Sequence, residues 1–402
     1  MIGSAGNKDD SARSDCFVKV SLTKKSGIKV ELQTKVDTLY GDSIRKLCLD
    51  ILNFFEVKNA KVEIEDKGAL DFVIAARLES AVKEIITSEK EYLLPLIKEN
   101  NYFTDKKTAR RSRLYIPGNS PKLMINAGIY SADGIILDLE DSVAPEKKNE
   151  ARYLVRNALR SVDLYDAERM VRINQIPEGL NDLKYIVPHK VNLILIPKCE
   201  TSAQIKQVDK KIIEIVQKSD HKIHLMPIIE SALGVINAYS IASASKNIVA
   251  MAIGLEDYTA DIGAQRTEKG VESFYARSVI VNACAAAGIQ AIDSVYSDIS
   301  DMEGLRENVA NSKAMGFAGM GCIHPKQVEI INAGFNPGKA EIEKAKTIVL
   351  AFEKARRNGL GVVAVESKMV DLPVVKRAID TINNAIRNGL LKENWKETTE
   401  NE

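Results

Sequence analysis

Between Arg113 and Pro325 the chain repeats one pattern eight times: a short apolar run stops at a polar or charged residue, and a longer helix-like segment leads to the next run. The runs are LYIPG to Gly118, GIILDLED to Asp141, MVRIN to Asn174, NLILIPK to Lys198, IHLMPIIE to Glu230, IVAMAIGLED to Asp257, QAIDSVYSD to Asp298 and GMGCIHP to Pro325. Near-continuous apolar runs suit strands buried on both faces, and returns of this length supply the crossovers that parallel pairing requires. The pattern predicts an α/β fold, a TIM or (β/α)8 barrel, over residues 110–335. Strand ends form the catalytic rim of such a barrel. Here that rim collects Glu140, Asp141, Arg172, Lys198, Glu230, Glu256, Asp257 and His324.

The flanks have other periods. MIGSAGNKDDSARSD is small and polar and predicts a flexible tail. CFVKVSL and GIKVELQTKV alternate like half-buried antiparallel strands about a turn at KKSG. A helix over DSIRKLCLDILNFFEV, a strand AKVEIED, a turn at Lys67-Gly68 and a helix through LDFVIAARLESAVKEII complete a small α+β domain, residues 1–95. A charged, irregular linker, 96–109, joins it to the barrel. Residues 336–402 predict a C-terminal helical extension: one helix ended by Gly359, a loop, a second helix opened by Asp371 and Pro373, and a frayed end. Barrel closure does not need this extension, so it docks on its own subunit or crosses to a neighbour.

Composition narrows the partners. A net charge of +1 with 28% charged residues gives no field for nucleic acid or an acidic membrane, leaving small molecules and proteins. Five cysteines (Cys16, Cys48, Cys199, Cys284, Cys322) in no CxxC spacing argue against disulfides or zinc and for a reducing cytoplasm. There is no apolar run of membrane-spanning length and no secretory pattern at the start.

Glu230 and Asp257 end consecutive strands, and two carboxylates so placed can share one hard cation such as Mg²⁺, with water and substrate filling its octahedron. The alternative is a pair of solvated loop acids. Arg172 either clamps a carboxylate or enolate oxygen or forms an internal ion pair with Asp138 or Glu140. Glu140 and Asp141 either orient metal-bound water or cap the next helix. Lys198 and His324 also stand at strand ends. The four histidines, His189, His221, His224 and His324, are too scattered for a histidine metal site. LYIPGNSP, with Arg110 and Arg111 ahead of it, offers backbone amides and charge to a phosphate or thioester arm, or is a plain βα turn. Ser4, Ser11 and Ser14 are hydroxyls in the tail.

RRSRLYIPGNSPKLM, DGIILDLEDSV, VRIN, PIIESALGVINAYSIA, IGLEDYTADIGAQRT and SKMVDLPVVKRA resemble, in order, the citrate lyase β subunit, a citryl-thioester lyase of the HpcH/HpaI aldolase family. SAGNKDDSARSDC, YGDSIRKLCLDIL and EDKGALDFVIAARLE resemble the citrate lyase acyl carrier, or γ, subunit. The chain thus looks like a γ-β fusion. The resemblance implies Mg²⁺ on Glu230 and Asp257, and substrate contacts from Glu230 and Arg172, to which Arg111 is added for its charge. It implies a catalytic acid at Asp371, reaching a neighbouring subunit of a homo-oligomer. It also implies phosphoribosyl-dephospho-coenzyme A on a serine. The family's serine lies in a Glu-Ser-(Ser/Gly)-Asp run after Ala-Gly; this chain has a longer spacer and Ala12-Arg13-Ser14-Asp15, which makes Ser14 the candidate and Ser11 the next. The implied reaction cleaves a carrier-bound citryl thioester to oxaloacetate and an acetyl thioester, with a separate α (transferase) subunit as partner. The alternative is a malyl-CoA or citramalyl-CoA lyase or thioesterase acting on free coenzyme A esters, with the N-terminal domain a docking module.

Overall fold

The computed structural model describes residues 1–9, 12–218, 222–267, 269–357, 362–365 and 368–396. Ser11, His221 and Gly359 lie outside them. Eight parallel strands close a barrel: β5 (Ser112–Pro117), β6 (Gly134–Asp138), β7 (Glu168–Arg172), β8 (Leu193–Ile196), β9 (His224–Ile229), β10 (Ala250–Ile253), β11 (Gln290–Asp293) and β12 (Gly319–Cys322). Neighbours in sequence pair in order, and β12 pairs with β5 through Met320↔Ser112 and Cys322↔Leu114. Two apolar layers result. Ile136, Met170, Leu195, Met226 and Ile292 fill the lumen, while Ile135, Leu137, Val171 and Ile194 pack outward under the helices. The alternation explains why each strand is apolar on both faces.

The N-terminal domain precedes it: β1 (Ile2–Gly6), β2 (Cys16–Leu22), β3 (Ile28–Gln33), α1 (Asp37–Phe54), β4 (Ala60–Asp66) and α2 (Asp71–Lys83). Two expectations are corrected. The supposed flexible tail contains β1, an edge strand antiparallel to β2 from Ile2↔Ser21 to Gly6↔Phe17, with Ala5 3% exposed. Backbone pairing holds this segment, which apolar periodicity does not reveal. The two alternating runs do not form a hairpin either. The sheet order is β1-β2-β4-β3, with β4 inserted between them, antiparallel to β2 and parallel to β3. The α1 crossover makes that parallel pair possible.

Helix α2 is buried on nearly every side because it serves two cores. Ile74, Ala75 and Leu78 join Val18, Val62 and Ile51 of the small domain, whereas Phe72, Val73 and Ala76 join the barrel's outer core. Across this seam Arg156, in the barrel helix Lys148–Ser161, places Nη1 at 3.1 Å from Glu79 Oε1, and both side chains are fully buried. The linker is irregular as expected, yet packed. Asn100 Nδ2 donates to Leu159 O at 3.0 Å and Val162 O at 2.8 Å, and Tyr102 Oη donates to Ala167 O at 2.6 Å.

In the C-terminal extension, helices Lys339–Arg357 and Leu372–Arg387 and the hairpin Val363–Val365/Lys368–Val370 surround their own core of Ile348, Phe352, Val375, Ile382 and Trp395. The end of the last helix meets the strand-start end of the barrel, where Asn388 Nδ2 donates to Asn336 Oδ1 at 3.0 Å. Among the described residues no helix is long and apolar enough to cross a membrane.

Candidate active site

A cavity of about 490 Å³ opens at the strand ends, lined by Tyr115, Asp138, Asp141, Arg172, Glu230, Asp257 and Ser294 among others. At the tip of β7, Arg172 donates from Nε to Asp138 Oδ1 at 2.6 Å and from Nη2 to Asp138 Oδ2 at 2.7 Å. Its Nη1 lies 2.8 Å from Glu140 Oε2. Arg172 therefore lines the mouth and forms the internal ion pair as well. Burial alone would lower the Arg172 pKa, but Asp138 outweighs it and holds the guanidinium firmly charged. Burial likewise pushes Asp138 up, and the fork from Arg172 pulls it below the usual carboxylate value. Glu140 moves the other way: burial and Asp141 raise it against the pull of Arg172.

Glu230 follows β9 and is 7% exposed. Its Oε2 accepts the Lys198 N–H at 2.8 Å. Its other oxygen packs so closely on Gly254 that a Cβ there would lie 2.6 Å away, so the next strand tip must be glycine. Burial, with Glu140 and Asp257 nearby, pushes the Glu230 carboxyl up to about 7 against the Lys198 amide and Arg172. Asp257 sits one step further than expected, in the first turn of helix Leu255–Asp261 after β10. Lys198 Nζ lies 3.4 Å from its Oδ1, so Lys198 touches both acids.

The other expected residues separate. Arg111 precedes β5 at the opposite end of the barrel, where its Nε and Nη2 grip Asp133 at 2.8 and 2.7 Å and Nη1 donates to Asn336. This corrects its assignment to substrate: it ties strand starts together. Arg110 is likewise consumed there by Glu168 at 2.7 Å. His324 caps helix Pro325–Phe335, its Nδ1 accepting the Lys326 N–H. Glu256 pairs with Arg266, and Asp298 is satisfied by Ser300 beyond the end of β11. Asp371 is exposed and caps the last helix by accepting the Val374 N–H at 3.3 Å. That helix has 16 residues, about 24 Å of rise, and its far end is the one at the strand starts, so Asp371 does not line its own chain's cavity.

Ser14 lies in the β1–β2 connection at φ 55°, partly buried. The next residue, Asp15, holds Arg77 at 3.1 and 3.0 Å, and Arg77 Nη2 donates to Asn119 O at 3.4 Å in the loop after β5. The LYIPGNSP loop thus meets the small domain at the rim. Arg113, Tyr115 and Asp138 also line the cavity. Strand alternation could have found the first two, since positions 113, 115 and 117 of β5 share the inward face.

The donor set suits a hard cation. It is all oxygen, two carboxylates from successive strand tips lining one cavity, and burial together with neighbouring acids raises Glu230. Among the described residues no group of three or more His, Cys, Asp or Glu side chains stands together as a metal site.

Residues 111–325 match the family HpcH/HpaI aldolase/citrate lyase. The chain belongs to the HpcH/HpaI aldolase/citrate lyase family. Residues 11–85 match a second family, the malonate decarboxylase delta subunit, an acyl-carrier-like domain ahead of the HpcH/HpaI barrel. The citrate lyase subunit beta of Leuconostoc mesenteroides subsp. cremoris is 39% identical over 287 residues, covering 70% of this chain and 95% of that protein. The human mitochondrial citramalyl-CoA lyase is 33% identical over 290 residues, 69% of this chain and 85% of that one. Among solved structures, CitE from Mycobacterium tuberculosis in complex with magnesium, acetoacetate and coenzyme A superposes with a TM-score of 0.57 at 30% identity, covering 70% of this chain and 98% of the other. As an HpcH/HpaI family member of the citrate lyase β type, the chain is a lyase.

Proposed function

We propose that the protein is a Mg²⁺-dependent carbon–carbon lyase that cleaves a citryl thioester carried on its own N-terminal domain into oxaloacetate and an acetyl thioester. The observation that carries this reading is the placement of Glu230 and Asp257 in one rim cavity, with Lys198 touching both. These two acids would hold the cation, which supplies Lewis-acid polarisation of the hydroxyl oxygen that becomes the ketone. Loss of the hydroxyl proton drives the carbon–carbon bond to break; its electrons pass into the thioester as an enolate, which then takes a proton. Arg172, fixed by Asp138, presents an oriented positive charge to the carboxylate and enolate oxygens without reorganising. Asp371 of a neighbouring copy in a homo-oligomer accepts the hydroxyl proton; its exposed position at the free end of the last helix suits reach between subunits.

The carrier part of the proposal places phosphoribosyl-dephospho-coenzyme A on Ser14. Support comes from the Asp15–Arg77–Asn119 contact, which sets this serine beside the barrel rim; tethering then raises the local substrate concentration. An α (transferase) subunit reloads the arm. All five cysteines are buried and unpaired, which agrees with a cytoplasmic setting. A second reading, turnover of free coenzyme A esters of malyl or citramalyl type, is favoured by the citramalyl-CoA lyase relative and the coenzyme A of the CitE complex.

Turnover of citryl thioester on the carrier against free citryl-CoA, with and without EDTA, tests both readings. Faster, EDTA-sensitive cleavage of the carrier-bound form is expected; a preference for the free ester overturns the tethered reading. Intact-mass analysis of the chain and of Ser14→Ala is expected to show the prosthetic group only on the former.

A further inference from the structure

Arg113 is the second residue of β5 and, like Tyr115 and Pro117, points into the lumen. It is 1% exposed. Its only hydrogen bond among the described residues is from Nη1 to Met226 Sδ at 3.1 Å, and its buried Nε has no partner. Among the described residues no carboxylate forms an ion pair with it. The cations nearer the mouth are all matched: Arg172 to Asp138, Lys198 to Asp257, Arg266 to Glu256. A guanidinium stays protonated even when burial pulls its pKa down, as it does here. An unpaired ion in such surroundings is strongly unfavourable unless an anion joins it.

Arg113 lines the rim cavity, and an anion can reach it from there. Gly321 of β12 pairs with Arg113 across the strands and lines the same cavity. A Cβ on Gly321 would fall 2.7 Å from Val295 Cγ1, 3.2 Å from Tyr115 Cε2 and 3.8 Å from Arg113 Nη2, so glycine here lets Val295 and Tyr115 pack closely beside the guanidinium. On its face the Tyr115 ring carries Arg172, whose Cζ is 5.3 Å from the centroid. Tyr115 therefore stands between the paired arginine at the mouth and the unpaired one beneath.

We infer that Arg113 is a specificity-determining anion subsite on the cavity floor, which takes the second carboxylate of the oxo-acid half of the substrate, the group that oxaloacetate has and pyruvate lacks. This rests on the lyase reading above. The metal end and Arg172 hold the atoms common to both acids, and Arg113 reads the difference between them. Its fork matches a carboxylate and rejects a methyl group by being left unpaired.

The test measures binding of oxaloacetate and of pyruvate by calorimetry to the full chain with Mg²⁺, in the parent, Arg113→Met and Arg113→Lys proteins. Met preserves volume beside Met226, and removing an unpaired buried charge leaves the fold at least as stable, which a melting curve checks. Oxaloacetate is expected to bind the parent more tightly than pyruvate. Arg113→Met should weaken oxaloacetate by about 10- to 100-fold and leave pyruvate within about twofold, with Arg113→Lys between. Equal loss for both acids, or no loss for either, overturns the assignment while leaving the lyase reading intact. A parent that binds neither acid overturns that reading and this inference together. If Arg113→Met abolishes a chloride or inorganic phosphate signal and leaves oxaloacetate unchanged, the subsite serves a free ion and the inference fails.

Discussion

The backbone N–H of Lys198 donates to Glu230 Oε2 at 2.8 Å from a left-handed conformation, φ 46°. A non-glycine residue is rarely held there without a local reason. Here the turn aims the amide at Glu230 while the side chain reaches Asp257, so a single residue sets the spacing of both.

Glu230 makes the metal-free protein sensitive to pH in an unusual sense. Its carboxyl rises from an ordinary 4.5 to about 7 on folding. Below pH 4.5 both states hold the proton and nothing is lost; between 4.5 and 7 the unfolded chain releases it first, so the fold loses stability as pH rises. The loss above pH 7 is on the order of 3 kcal/mol. Metal-free Glu230→Gln should therefore melt higher than the parent at pH 8 and about equally at pH 4.5. A lower melting point at pH 8 contradicts the assignment.

Asp257→Asn and Glu230→Gln should each weaken Mg²⁺ by more than the ~10–100-fold that outer-shell substitutions cost. Calorimetric Mg²⁺ titration, with circular dichroism to show a retained fold, checks this. Magnesium affinity equal to that of the parent in either variant removes the proposed metal site.

Arg172→Lys keeps the charge but loses the planar fork on Asp138. The variant should fold and lose about 100-fold or more in kcat, with a smaller change in KM. Retention of full kcat by the lysine variant counts against oriented stabilisation.

The seam between the two domains has a strong test at Arg156 and Glu79. Stranding one partner of a buried pair costs about 3–5 kcal/mol; here Lys83 stays 3.1 Å from Glu79 and Glu91 stays 3.2 Å from Arg156, which lowers that cost. Glu79→Leu and Arg156→Met singly should each lower the free energy of unfolding by up to that amount, and the double variant should lose less than the sum of the two. Additive losses would mean that the two charges do not depend on each other.

The barrel was legible because burial on both sheet faces imposes a repeat that no loop shares, and Glu230, Asp257 and Arg172 were legible as charged residues at or just past the ends of such runs. Strand β1 was not, since an edge strand of small residues is held by backbone pairing with β2. The insertion of β4 was hidden too: alternation tells which face a residue takes but not which strand lies beside it. Arg111 misled because charge close to the first strand was read without asking which end of the barrel it occupies. Arg113 escaped because an arginine just ahead of the LYIPG run reads as part of the polar lead-in until its alternation with Tyr115 is followed.

The joint at α2, where one helix belongs to two cores and Arg77 and Glu79 are anchored across it by Glu150 and Arg156, denies the small domain any journey of its own. If Ser14 carries the arm proposed above, a thioester on it would travel only as far as that arm is long. Whatever enzyme recharges that arm must come to stand within the same short radius, so geography, rather than affinity alone, decides which surfaces of the two machines can ever face each other.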